Sequence, residues 1–153
     1  MKKLSILDVP KETFKDKRVF VRVDFNVPIE DGKILDDYRI KKSLETINYL
    51  IECGAKIILA SHLSRPKGKD LKFSLKPVGI HLSKLLNKEV KFFDMIEENY
   101  VDYLGKIKGK VLNLKSKEIL LLENLRFSDG EEKNDENFIN EIKINGKIYK
   151  FYD

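Results

Sequence analysis

Apolar residues along this chain change their period as it proceeds. Between Lys17 and Phe25, Val19, Phe20, Val21 and Val23 form a β-branched and aromatic run that predicts a strand. Ile40, Leu44, Ile47 and Ile51 then recur as one helical stripe. Asp36 and Asp37 stand where that helix would be capped, and Gly54 stands where it would end. Ala55 to Ser61 reads AKIILAS, a near-continuous apolar run expected of a strand covered on both faces. A basic loop, HLSRPKGKDLK, follows. Ser74 is placed to cap a second helix, with Pro77 tolerated in its first turn and Leu75, Val78, Leu82 and Leu85 as its stripe. Glu89 to Phe93 predicts a short strand, and Met95 to Leu104 a helix with a weaker stripe. Glu118 to Leu122 (EILLL) predicts another buried strand, with a polar, acidic loop and a helix over Asp135 to Ile142 after it. Asn145-Gly146 suits a hairpin turn.

Strands alternating with helices predict an α/β fold: doubly wound, Rossmann-like, with a mainly parallel sheet. In that fold ligands bind outside the carboxyl ends of the strands. Three predicted strands run straight into polar residues there. The first leads to Asp24, Phe25 and Asn26, the second to Ser61, His62, Leu63, Ser64 and Arg65, and the third to Glu123, Asn124 and Arg126. Parallel strands bring these ends to one edge. Arg39 is expected in the first turn of the helix after the first strand, where the helix N-terminus would favour an anion.

Composition narrows the classes. The chain has 153 residues, with 42% hydrophobic and 36% charged, which excludes a disordered segment and suits one domain. No apolar run approaches a membrane span, and the start carries no signal-peptide pattern. The single Cys53 fits a reducing, cytoplasmic compartment and gives no metal cluster. The net charge is +5, compatible with an anionic ligand and with an ordinary Lys-rich surface alike. A nucleic-acid-binding module has only that charge behind it, since no recognition-helix, zinc or aromatic RNA-binding motif occurs.

The residue types at the shared edge point to a small polyanion site. Arginine's planar fork binds phosphate and carboxylate bidentately, as lysine cannot. Arg39, Arg65, Arg126 and His62 supply the positive side. Asp24 suits a hydroxyl rather than an anion. The implied ligand carries phosphate, carboxylate and hydroxyl together. Glu123 and Asn124 are expected to be structural, as are His81 and Cys53. Arg22 is expected to face outward or to pair with a carboxylate, and Lys67, Lys69 and Lys72 to lie on a solvated loop.

The segments VFVRVDFNVP (Val19 to Pro28), ILDDYRI (Ile34 to Ile40), LASHLSRPKG (Leu59 to Gly68), FSLKPV (Phe73 to Val78) and LLENLRF (Leu121 to Phe127) resemble phosphoglycerate kinase, in the order and spacing of that family. The resemblance runs from Leu4 to about Tyr149 and favours a strand over Gly146 to Tyr149. It implies the N-terminal, 3-phosphoglycerate-binding domain of a two-domain, typically monomeric, cytoplasmic enzyme of glycolysis. That enzyme transfers a phosphoryl group reversibly between 1,3-bisphosphoglycerate and magnesium ADP, giving 3-phosphoglycerate and ATP. It further implies Asp24, Phe25, Asn26, Arg39, His62, Leu63, Ser64, Arg65 and Arg126 as substrate positions. Phe25 would act through its backbone, and Arg39 would also stabilise the transferring group. Its partners would be small molecules, with no nucleic acid and no membrane.

Two departures from the family pattern stand out. Ser64 occupies a glycine position, which is harmless unless the backbone there has positive φ. The chain ends in KFYD where a further family motif is expected. Residues 1–153 therefore read as a truncated substrate domain. The magnesium ATP or ADP would be bound by an absent domain, and this chain would bind no nucleotide and no metal: its glycines form neither GxGxxG nor GxxxxGK[ST]. The expectation is a chain inactive alone that at most holds small phosphorylated acids.

Overall fold

The structure is a computed structural model that describes residues 5–128, 136–137 and 148–152. A five-stranded, all-parallel sheet is built from β1 (Arg18–Arg22), β4 (Lys56–Ala60), β5 (Val90–Phe92), β6 (Ile119–Leu121) and β7 (Ile148–Tyr152), in the order β5-β6-β4-β1-β7. Between β1 and β4 lie a small antiparallel hairpin, β2 (Ile29–Glu30) and β3 (Lys33–Ile34), and two short helices, α1 (Tyr38–Lys42) and α2 (Leu44–Glu52). α3 (Lys76–Leu86) precedes β5, and α4 (Tyr100–Leu112) precedes β6.

Side chains alternate across the sheet, and each face buries its own set. Val19, Val21, Ile57, Leu59, Ile119 and Leu121 pack with Ile40, Ile47, Leu50, Val78 and Leu82 of α1, α2 and α3. Phe20, Ile58, Ala60 and Leu120 face the other way, against Tyr103, Leu104, Ile107 and Val111 of α4. At roughly 1.5–3 kcal/mol for each large side chain removed from water, these two layers are the main stabilising term. The doubly wound parallel sheet expected from the alternation is therefore present. Near-continuous apolar runs such as Ile57 to Ala60 are explained by helices on both faces.

Three local outcomes differ from the pattern-based expectation. The helix after β1 breaks at Ser43, whose hydroxyl donates to the Ile40 carbonyl at 2.7 Å and competes with the backbone ladder. At its start Asp36, one of the two residues expected there, accepts from the Tyr38 amide at 2.9 Å, while the Asp37 side chain makes no cap bond. The helix expected from Met95 begins instead at Tyr100. Asn99 caps it by accepting from the Asp102 amide at 2.9 Å, while Met95 is buried from the preceding loop. The β2–β3 hairpin was not anticipated. Its turn places Asp31 at φ 50° and Gly32 at φ 75°, the two positive values that an Asp-Gly turn supplies.

Gly54 does end α2 as expected, at φ 76°. Ser74 accepts from the Lys76 amide at 3.1 Å, which serves the start of α3, and Pro77 sits in its first turn. Apart from residues 136–137, the helix expected over Asp135 to Ile142 lies outside the described residues, as does the Asn145-Gly146 turn. No described helix is long and apolar enough to cross a membrane.

Candidate polyanion site at the carboxyl edge of the sheet

The three strands that end in polar residues, β1, β4 and β6, are neighbours in the sheet. Their extensions are stitched together past the last ladder positions. The Val23 amide donates to the Ala60 carbonyl, the Leu122 amide to the Leu59 carbonyl, and the Leu125 amide to the Ser61 carbonyl, all at 2.9–3.0 Å. Ser61 is fully buried, and its hydroxyl accepts from the Phe25 amide at 2.9 Å. The loops thus leave the sheet along fixed paths.

Asn124 is the hub of this arrangement. Fully buried, it accepts from the amides of Leu63 (3.2 Å) and Arg126 (3.0 Å) and donates to the carbonyls of Leu63 (2.8 Å) and Phe73 (3.0 Å). Glu123 beside it is almost wholly buried. Its carboxylate accepts from the Ser74 hydroxyl (2.6 Å) and from the amides of Leu75 and Asn124 (2.8 Å each). Burial pushes its pKa up, against the opposing pull of those three donors. Tyr100 donates to the Glu123 carbonyl at 2.8 Å, and the Glu123 amide donates to the Tyr103 hydroxyl at 2.9 Å. Both residues therefore serve the scaffold, in keeping with the structural roles expected of them.

The exposed ends of the same loops enclose a cavity of about 430 Å³ lined by Asn26, His62, Ser64, Arg65 and Arg126. Asn26 accepts from the Ser64 amide through Oδ1 at 2.9 Å, which ties the first loop to the second. Arg126 donates from Nη1 to the Ser64 carbonyl at 2.8 Å, which ties the third loop to the second. A second cavity, about 600 Å³, adjoins it through Arg65 and Arg126 and is also lined by Lys67 and Ser128. Lys67 was expected on a solvated loop, and it is exposed, yet it borders this second basic hollow. No simple sequence signal marks it, because its neighbours Lys69 and Lys72 do not line either space.

Arg39 and Asp24 do not line these cavities. They meet the cluster through Asn26, whose carbonyl accepts from Arg39 Nη1 at 2.7 Å. Asp24 Oδ1 accepts from the Asn26 amide at 3.1 Å and lies 3.4 Å from the same Arg39 nitrogen. Both side chains are about half exposed. The helix-terminus argument for an anion beside Arg39 does not hold. α1 spans only Tyr38–Lys42, too short for an appreciable dipole.

Two further candidate residues lie beneath the surface. Phe25 is fully buried, and its amide and carbonyl are engaged by Ser61 and by the Val27 amide. Leu63 is buried in the core, and its amide and carbonyl are both held by Asn124. Both buried side chains shape the site from beneath. Ser64 has φ 56°, the left-handed conformation in which a side chain carries a cost.

This geometry defines a doubly wound α/β domain with a cluster of basic side chains at the carboxyl edge of three adjacent parallel strands. The sequence profile described as phosphoglycerate kinase matches residues 8–150, nearly the whole chain, and the chain belongs to that family. It is 50% identical over 139 residues to the phosphoglycerate kinase of Borreliella afzelii, which covers 90% of this chain and 34% of that protein. It is 51% identical over 136 residues to that of Fervidobacterium nodosum, covering 88% of this chain and 32% of the relative. Among solved structures, phosphoglycerate kinase from Coxiella burnetii superposes with a TM-score of 0.70 at 29% identity, over 97% of this chain and 34% of that one. The enzyme from Pyrococcus horikoshii gives 0.63 at 40% identity, over 76% and 27%. The chain thus spans about a third of the length of the curated relatives it matches.

Proposed function

We propose that this chain supplies the acid-sugar site of the phosphoglycerate kinase reaction. In that reaction a phosphoryl group passes between the acyl phosphate of 1,3-bisphosphoglycerate and ADP, giving 3-phosphoglycerate and ATP. The observation that carries this reading is the single cavity in which Asn26, His62, Ser64, Arg65 and Arg126 meet from three loops. Arg65, Arg126 and His62 would grip the phosphate and carboxylate ends of the acid, and Asp24 would accept from its hydroxyl. Arg39, steadied on the Asn26 carbonyl, would face the carboxylate and offset charge on the transferring group. Positioning and charge stabilisation are the main demands of phosphoryl transfer, and a rigid, hydrogen-bonded edge is suited to both.

We infer that the magnesium nucleotide is not held by this chain. No phosphate-cradling glycine motif occurs in the sequence. On this reading the nucleotide is held by a separate domain, and the chain by itself binds the acid without turning it over. The partners are then small molecules. The buried Cys53 thiol, its pKa raised by burial, suits a cytoplasmic chain with no redox role.

The test is a titration of the 153-residue chain with 3-phosphoglycerate followed by NMR. The amide signals of Asp24, His62 and Arg126 should move together and saturate. Shifts confined to Lys67 to Lys72 would indicate general anion attraction to a basic loop and would overturn the assignment.

A further inference from the structure

Arg39 sits on a weak support. α1 is five residues long and ends at the Ser43 break, and Tyr38, Lys41 and Lys42 on it are exposed. Its apolar anchor is Ile40, fully buried beneath the sheet-facing side. One buried side chain fixes the depth of a short helix but leaves it free to pivot about that point.

A second anchor lies two residues before Arg39. Asp37 Oδ2 is 2.8 Å from His81 Nε2, which reaches across from the second turn of α3. With a carboxylate opposite, Nε2 carries the proton and donates. The Asp37 carboxylate is also 3.5 Å from Lys41 Nζ, but Lys41 is on the same helix and cannot tie it to anything else. The His81 bond holds the Asp37 pKa below the usual carboxylate range, with Lys41 adding to the effect. His81 lines neither basic cavity. It borders a separate groove of about 1050 Å³ between the β2–β3 hairpin and α3. Its link to Arg39 runs through Asp37 and α1.

We propose that His81 is a positioning residue for Arg39. Its bond to Asp37 fixes the start of α1 on α3, and with Ile40 as the pivot this second point sets the direction of the Arg39 side chain. The 2.7 Å contact between Arg39 Nη1 and the Asn26 carbonyl is the product of that alignment. The consequence for a ligand rests on the acid site proposed above, whereas the alignment itself does not.

Two measurements test it. His81→Leu removes the donor while keeping bulk and helix propensity, and His81→Arg restores a donor to Asp37. In the ligand-free chain, the NMR order parameter of the Arg39 Nε–Hε bond should fall in His81→Leu and return in His81→Arg. No change in His81→Leu would overturn the proposal whatever the ligand does. In the second measurement, His81→Leu should weaken 3-phosphoglycerate affinity roughly three- to tenfold in the native background and not at all in the Arg39→Ala background. An equal loss in both backgrounds would show that His81 does not act through Arg39. If the native chain fails to bind 3-phosphoglycerate, the acid-site reading falls, and the order parameter still decides the role of His81.

Discussion

Arg126 donates from Nη1 to the carbonyl of Ser64 at 2.8 Å, and the residue it grips has φ 56°. The Ser64 amide is held just as firmly by Asn26 Oδ1 at 2.9 Å. Two side chains from two other loops thus impose a left-handed turn on a residue that has a Cβ. The conformation is maintained from outside and at a cost.

Ser64→Gly should therefore stabilise the chain. The backbone bonds to Asn26 and Arg126 survive the change, and the steric cost of the left-handed region disappears, offset in part by the greater freedom of glycine in the unfolded chain. A gain of about 0.5–1 kcal/mol is expected. Urea unfolding checks it: a midpoint unchanged or lower than that of the native chain would contradict the cost assigned to Ser64. Ser64→Val, β-branched at the same φ, should move the midpoint the other way.

Glu123 offers a pH-dependent test. Its folded pKa is raised by burial above the ordinary 4.5, so the folded chain holds that proton more tightly than the unfolded one. Stability should then decline as pH rises from about the ordinary value through the raised one, and level off above it. Glu123→Gln keeps an acceptor for the Leu75 and Asn124 amides and should flatten this slope. Glu123→Ala strands both amides and the Ser74 hydroxyl, and should cost about 2–4 kcal/mol at neutral pH. Unfolding midpoints measured across pH 4–8 separate the three chains; an alanine variant as stable as the glutamine one would refute the capping role.

Asp37 has the opposite sign. Its folded pKa is lowered from 3.8 by the His81 bond and by Lys41. The stability it contributes is full above the ordinary carboxylate value and is lost as pH falls through the lower, folded value. Asp37→Asn should be less stable than the native chain at pH 5, with the two converging as acid is added. A difference that stays constant from pH 5 to pH 2 would mean that the Asp37 charge is not what matters. The group is a quarter exposed, so the effect should shrink at high salt.

Strong, repeated patterns made the sheet legible. Val19, Phe20 and Val21 are buried on alternating faces, and the AKIILAS run needs helices on both sides. The convergence of Asn26, His62, Arg65 and Arg126 followed from that topology, because adjacent parallel strands share an edge. Less legible were features set by side-chain competition with the backbone. A serine hydroxyl split the first helix at Ser43, and Asn99 moved the start of α4 away from Met95. Phe25 and Leu63 lie between polar residues in sequence, so nothing local shows that both side chains are buried, with their amides held by Ser61 and Asn124. The Asp37–His81 contact joins residues 44 positions apart and had no sequence signal, since His81 alone reads as one more polar position on α3.

The last prediction concerns arginine chemistry at Arg126, which lines both basic cavities and braces Ser64. Those two tasks make different demands. Bracing needs one donor on the Ser64 carbonyl, while gripping a phosphate or carboxylate uses a planar fork with further donors. Arg126→Ala should lose both and weaken 3-phosphoglycerate affinity roughly ten- to hundredfold, since a charge-assisted bond contributes about 1.5–3 kcal/mol. Arg126→Lys keeps the charge but presents a single ammonium. It cannot hold the Ser64 carbonyl and an anion with the same geometry, so it should recover only part of the loss. The salt dependence of binding separates the causes. Lysine should restore the slope of affinity against ionic strength, which reports charge, without restoring the affinity itself, which reports geometry. Full recovery of affinity by lysine would show that Arg126 acts as a point charge, and that the fork seen bonded to Ser64 has no part in recognition.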